Sequence, residues 1–238
     1  MSGLLITFEG IECSGKGKQA TKLLAFLKAI NREAIILREP GGTVYGEILR
    51  TVIKHPQLAT KAINEVFNGH EDFPQPIDIA NGFARSPYCE LFMFLANRAE
   101  FIDKRVKPAL ASGQIVITDR LHYSTRAYQG GGRFHSEPEM IKTINHLNAI
   151  ALQGILPDLV ILLDISIEEM IKRRTQESDK DAFFEKTCDQ DFFNRTRNEY
   201  LKIAEEEASR FRIIDGTRSI LDIHHTIISS VAKIVNQT

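Results

Sequence analysis

The strongest constraint on the fold is one joint between a strand and a helix. Residues 4–8, Leu-Leu-Ile-Thr-Phe, form an almost unbroken apolar run. They lead through Glu9 into Gly10-Ile11-Glu12-Cys13-Ser14-Gly15-Lys16-Gly17. A short run this apolar reads as a strand buried on both faces, the habit of parallel sheets. Leu23, Leu24, Leu27 and Ile30 then recur at helix spacing. Glycines in such a joint let backbone N–H groups turn inward around a phosphate, and the dipole of the following helix adds attraction. A lysine at the position of Lys16 reaches the phosphate being transferred. Two other readings compete. One is a plain glycine-rich turn. The other is a dinucleotide fingerprint, Gly15-x-Gly17-x-x-Ala20 with Arg38-Glu39 after the second strand. The fingerprint explains neither Lys16 nor a glycine placed at the strand end.

Four further runs repeat the strand pattern: Ala34 to Leu37, Ile115 to Thr118, Leu159 to Leu163 and, more weakly, Arg212 to Ile214. Helical spacing fills the intervals over Leu91 to Leu110, Ile141 to Leu152, Ile167 to Arg174, and Ile220, Ile223, Ile227, Val231 and Ile234. Strands alternating with helices predict an α/β domain with a five-stranded parallel sheet. Two stretches interrupt the alternation. His55 to Pro87 carries four prolines and reads as a long excursion with a candidate helix at Thr60 to Phe67. Gln176 to Gln190 is strongly charged and reads as a loop or a lid.

With 238 residues the chain suits a single domain, here 1–238, that buries a full core without disulfides or metals. Lys plus Arg is 30 against 31 for Asp plus Glu, a net charge of -1. A nucleic-acid binder carries a basic surplus, so any anion here is held by local placement. Cys13, Cys89 and Cys188 form no metal-ligand spacing and no even set for disulfides. The first residues lack a signal-peptide pattern, and no apolar run is long enough to span a membrane. These features predict a cytoplasmic protein. Arg38 and Arg120 each follow a strand, where open α/β sheets take ligands. An arginine fork suits a phosphate there.

The chain resembles the thymidylate kinases. The matching segments are Phe8-Glu9-Gly10-Ile11-Glu12 with Ser14-Gly15-Lys16; Arg38-Glu39-Pro40-Gly41-Gly42-Thr43; Phe94-x-Ala96-Asn97-Arg98-Ala99; Asp119-Arg120 with Ser124 and Ala127-Tyr128-Gln129-Gly130; Pro157-Asp158-Leu159 through Leu163-Asp164; and Phe192-Phe193-Asn194-Arg195. They occur in the family's order and span most of the chain. The resemblance implies a P-loop NTPase-type three-layer α/β/α fold with a lid over 174–190, and 55–87 as a stretch longer than is usual in the family. It implies a homodimer, and transfer of the ATP γ-phosphoryl to dTMP with Mg²⁺ in dTTP synthesis.

Position by position, the resemblance puts Gly10, Ile11, Glu12, Cys13, Ser14, Gly15, Lys16, Gly17 and Lys18 around the ATP phosphates, and Arg218 near adenine. Arg38, Arg50 and Arg120 would hold the dTMP phosphate, with Glu39 beside them. Phe94 would stack on the base and Arg98 would reach its carbonyl edge. Tyr128 would lie near the sugar, with Ser124 and Gln129 in the same pocket. Asp119 and Glu12 would support Mg²⁺ through water.

Some positions depart from the family. Gly17 stands where a Ser or Thr commonly ligates Mg²⁺, and Lys18 follows it. In Asp181-Ala182-Phe183-Phe184-Glu185, alanine replaces the lid arginine of bacterial members, and Cys13 occupies the place where other members carry an arginine in the phosphate loop. Arg173, Arg174 and Lys180 remain as cations to stabilise the transition state. His122 is not assigned as a general base, because an acceptor phosphate is already anionic. Two alternatives stay open: a kinase for another pyrimidine monophosphate (dUMP, UMP or CMP), and a nucleotide-binding protein that has lost catalysis.

Overall fold

The computed structural model describes residues 3–67, 85–175 and 188–235. The five apolar runs are strands: β1 Leu4–Glu9, β2 Ala34–Arg38, β3 Ile115–Asp119, β4 Leu159–Asp164 and β5 Phe211–Asp215. Every pairing is parallel and the order is β2-β3-β1-β4-β5. The central strand β1 is buried throughout. The edge strand β5 leaves Arg212 and Ile213 exposed, which is why its sequence signal is weak. The register pairs Asp119 with both Phe8 and Arg38. Glu9, Arg38 and Asp119 therefore end their strands at the same carboxyl edge, where such sheets build their sites.

Helices cover both faces. On one side α1 (Lys16–Ala29) and α10 (Ile220–Val235) pack Leu23, Leu27, Ile223, Ile227 and Val231 onto Leu4, Ile6, Phe8 and Ile161. Ile30 and Ile220, expected on these stripes, lie at the helix ends and are exposed. On the other side lie α2 (Val44–Lys54), α3 (Pro56–Phe67), α4 (Pro87–Phe101), α5 (Lys107–Ala111), α6 (His122–Thr125), α7 (Pro138–Leu152), α8 (Ile167–Arg174) and α9 (Gln190–Glu206). This face buries Leu5 and Val116 against Phe101 and Ile102, and Val160 and Leu162 against Tyr200 and Ile203.

Several boundaries differ from the sequence reading. The helix expected across Leu91 to Leu110 opens into π-helical turns at Ile102–Val106, just ahead of Pro108, whose missing N–H weakens the ladder there. α3 begins at Pro56, four residues before the candidate helix. α9 was not expected, because charge dilutes its apolar face; Asp189 caps it by accepting from Phe192 N at 2.7 Å. A second π-helical stretch, Arg126–Arg133, follows α6 and lies against α9. At Gly131 an added Cβ would meet Glu199, and at Gly132 the Phe192 ring, so only glycine permits this approach. The rest of the 55–87 excursion and of the lid, including Lys180, Asp181 and Ala182, lies outside the described residues. Among the described residues no helix is long and apolar enough to cross a membrane.

Candidate active site

The joint after β1 forms the loop that its glycines suggest. Gly10 sits at φ +132°, and a Cβ there would strike the Leu163 carbonyl. Gly15 sits at φ +93° directly before α1. The Lys16 ammonium is buried, and donates to Gly10 O (3.0 Å), Ile11 O (2.7 Å) and Ser14 Oγ (3.1 Å). Burial, and then the neighbouring Arg120 cation, lower its pKa to about 8. Glu12, Cys13, Gly15, Lys16, Gly17 and Lys18 face an open polar cavity of about 1170 Å³, with Arg38, Glu39, Pro40, Arg50, Lys54, Asp119 and Arg120 completing its wall. Ile11 instead packs into the core, and Ser14 is buried under the loop. A Cβ at Gly17 would meet nothing within 4 Å, so space does not demand glycine there.

Arg120 is the hub. Its backbone adopts φ 73°, a strained value for a residue with a side chain, held by its N–H donating to Phe8 O at 3.0 Å. Its guanidinium donates to Gly10 O (2.8 Å), Ser124 Oγ (3.2 Å), Tyr200 Oη (3.2 Å), Tyr128 Oη (3.2 Å) and Glu12 Oε1 (3.3 Å). Tyr128 Oη also donates to Glu12 Oε1 at 2.6 Å. Beneath lies Glu9, wholly buried, accepting from Leu121 N (2.8 Å), Ser124 Oγ (2.6 Å) and Tyr200 Oη (3.0 Å). Burial outweighs these donors and pushes its pKa up to about 7.

A second cavity, about 480 Å³ and more apolar, adjoins the first. It is lined by Phe94, Arg98, Ser124, Thr125, Tyr128, Gln129, Ile53 and Leu121. Glu12, Glu39, Pro40, Lys54 and Arg120 line both cavities, so the two share a wall. Arg98 is 1% exposed. Its Nε donates to Glu39 Oε2 at 3.2 Å, its NH2 lies 2.5 Å from Glu39 Oε1, and its NH1 donates to Asn148 Oδ1 at 2.6 Å. The buried Glu39 balances its charge, which leaves a donor with little net field. Gln129 donates to Glu90, itself held by Arg133 through two contacts of 3.0 and 3.1 Å.

The Arg38–Thr43 segment explains its own residues. Arg38 is exposed at the rim and donates to Glu47 at 2.9 Å, while the other Glu47 oxygen accepts from Gly42 N at 2.8 Å. Thr43 caps α2, accepting from Gly46 N at 2.9 Å. Arg50 NH1 returns to Pro40 O at 3.0 Å. Arg173 ends α8 and is anchored by Glu169 at 2.7 Å. It donates to Cys13 O at 3.2 Å and Gly216 O at 2.8 Å, tying the phosphate loop to the loop after β5. Arg174 turns away, over the Phe193 ring at 6.0 Å. Arg218 is exposed on the loop after β5, bonded to Thr226 and outside both cavities.

Comparison with known proteins gives one answer. The family model for thymidylate kinase matches residues 8–71 and 77–227. The chain belongs to the thymidylate kinase family. It is 35% identical to the thymidylate kinase of Sulfurihydrogenibium sp., over 97% of this chain and 98% of that one. It is also 35% identical to that of Bifidobacterium longum, over 98% and 100%. The crystal structure of thymidylate kinase from Ehrlichia chaffeensis superposes with a TM-score of 0.64 at 26% identity, covering 98% of this chain and 99% of that one.

Within this family member, the fold gathers most of the residues singled out in the sequence around the two cavities. It adds Glu9, Thr125, Asn148 and Tyr200, and also Lys54, Glu90 and Arg133. Glu9 had a signal, an acid closing an apolar strand. Tyr200 had none, because it sits on a helix that the pattern hid.

Proposed function

We propose that the chain transfers the γ-phosphoryl group of ATP to dTMP, giving ADP and dTDP. The observation that carries this reading is the shared wall. A phosphate loop opens one cavity, a pocket suited to a flat base forms the other, and Glu12 and Arg120 stand between them. In-line transfer needs donor and acceptor phosphates to meet at such a wall.

In this reading Lys16 and the loop amides bind the donor phosphates, and Arg120, Arg38 and Arg50 bind the acceptor phosphate. Phe94 stacks on the base. Arg98 offers N–H groups to a neutral carbonyl, a role suited to a cation already balanced by Glu39. Tyr128 is pinned by Glu12 and Arg120, and forms a firm wall against the sugar that disfavours a 2′-hydroxyl. Among the described residues, Arg173 is the lid-side cation that touches the loop. Among the described residues no three His, Cys, Asp or Glu side chains gather as a metal cage. Glu12 Oε2 and Asp119 Oδ1 are, however, buried without a hydrogen-bond partner, and both residues border the phosphate cavity. That donor set fits a hydrated Mg²⁺ held through water by Glu12 and Asp119. When bound, Mg²⁺ supplies neutralisation of phosphate charge.

We also propose a homodimer, because Val44, Tyr45 and Ile48 on α2 and Tyr88 and Phe92 on α4 are exposed apolar side chains; light scattering giving a monomer mass would end that proposal. The kinase reading is tested by coupled ADP release with separate monophosphates. Faster turnover with dTMP than with UMP, CMP or dUMP is expected. Equal rates with UMP and dTMP, or ATP binding without dTDP, would overturn it.

A further inference from the structure

One polar support of the base pocket lies behind its lining. Asn148, on α7, is 2% exposed. Its Oδ1 accepts from Arg98 NH1 at 2.6 Å, and its Nδ2 donates to the backbone carbonyl of His122 at 3.3 Å. Arg98 comes from α4, and His122 opens α6, which carries Ser124 and Thr125. One amide thus joins two elements that both line the base pocket, α4 and α6.

The orientation of that amide is unambiguous. Turned over, its NH2 would face the guanidinium donors and its oxygen would face the His122 carbonyl. Glu39 grips the Nε side of the guanidinium, and Asn148 grips the far side. With both in place, the plane of the fork is fixed, and its unspent N–H groups have a single direction. With Glu39 alone, the fork keeps its two-point charge contact but can hinge about it, so its far edge loses its aim.

A third cavity gives the amide a further role. Asn148 lines a separate hollow of about 580 Å³ with His122, Tyr123, Arg126 and Glu207, none of which lines the base pocket. Asn148 is therefore the polar plug between that hollow and Arg98. Without its side chain, water from the hollow can reach Arg98 NH1 and replace the lost bond. Folding then loses little, while the aim of the guanidinium is lost.

We propose that Asn148 is a positioning residue that fixes Arg98 for recognition of the pyrimidine 4-carbonyl. This rests on the reading of Arg98 as the group that meets the base. A 4-carbonyl accepts hydrogen bonds where the 4-amino group of cytosine donates them. A well-aimed guanidinium therefore separates dTMP from dCMP, and a loose one does not.

The test compares wild type with Asn148→Ala, Asn148→Asp and Arg98→Lys in steady-state assays with dTMP, dCMP and ATP. Asn148→Ala should raise KM for dTMP roughly tenfold and shrink the dTMP-to-dCMP ratio of kcat/KM by a similar factor, the scale of one lost bond to a charged donor. KM for ATP should stay within about twofold, because Asn148 does not border the phosphate cavity. Asn148→Asp keeps the acceptor that faces Arg98, and should hold the ratio closer to wild type than Asn148→Ala does. A purely structural role would lower both substrates' kinetics together and leave the ratio unmoved. If Asn148→Ala folds and keeps the wild-type ratio, or if Asn148→Ala and Asn148→Asp lose it equally, the inference is overturned. Arg98→Lys separates the two levels. If it leaves the ratio unchanged, the assignment of Arg98 to the base fails. If it collapses the ratio while Asn148→Ala does not, only the role of Asn148 fails.

Discussion

Glu9 closes the central strand with a carboxyl group that has no exposed surface. Its pKa is about 7, against an ordinary 4.5. Between those values the folded chain keeps a proton that the unfolded chain has released. Its ionisation therefore costs nothing at low pH and destabilises the fold as pH rises through 7. A gap of roughly 2.5 units corresponds to about 3 kcal/mol in full, of which about 2 kcal/mol falls between roughly pH 5.5 and 8. Glu9→Gln should abolish this dependence. The amide resembles the protonated acid: its oxygen still accepts from Leu121 N, and its NH2 donates to Ser124 or Tyr200, whose hydroxyls can turn to accept. Burial also lowers the His122 pKa, and its slope runs the other way. That slope is common to both proteins and cancels in the difference. Urea unfolding of wild type and variant at several pH values measures the difference directly. The variant should gain on wild type by about 2 kcal/mol from roughly pH 5.5 to 8. Parallel stability curves would refute the claim that Glu9 is a buried acid titrating near neutrality.

Further outcomes follow from the same geometry. Lys16→Met should lower kcat by roughly 100-fold or more, the usual scale for losing a preorganised charge at a transferring phosphate; single-turnover quench-flow reads it. Arg120→Met should raise KM for dTMP and lower stability together, since it removes the donor to Gly10, Ser124, Tyr200, Tyr128 and Glu12; a variant with unchanged KM would contradict its place at the acceptor. Asp119→Asn should raise the Mg²⁺ concentration needed for half-maximal rate several-fold, with KM for dTMP nearly unchanged. Arg173→Ala releases the tie between Cys13 and Gly216 and should weaken ATP more than dTMP, as nucleotide titrations would show.

Legibility followed the physics of each element. β1, β3 and β4 are buried on both faces, so their apolar runs stood out. β5 is half exposed and its run faded. The phosphate loop could be read because a backbone nest needs glycines at fixed offsets. Arg38 and Arg120 could be placed because a parallel sheet aligns strand ends. Roles that depend on partners far apart in the chain were not readable. The Arg98–Asn148 bond spans 50 residues, and the Glu9–Tyr200 bond spans 191. The resemblance put Arg98 at the carbonyl edge of the base but gave no sign of its partner; the fold pairs it with Glu39, which balances its charge. Arg173 and Arg174 were equivalent in sequence. Only the helix end shows that one ties the loop and the other covers Phe193.

A single competition experiment decides which monophosphate the chain phosphorylates. Enzyme, ATP and Mg²⁺ are mixed with equimolar dTMP, dUMP, UMP and dCMP, and the nucleoside diphosphates are resolved by mass. dTDP should accumulate first and dominate, in step with ADP. Diphosphates in equal proportion, a ribonucleoside diphosphate in the lead, or ADP without any new diphosphate would contradict the dTMP reading.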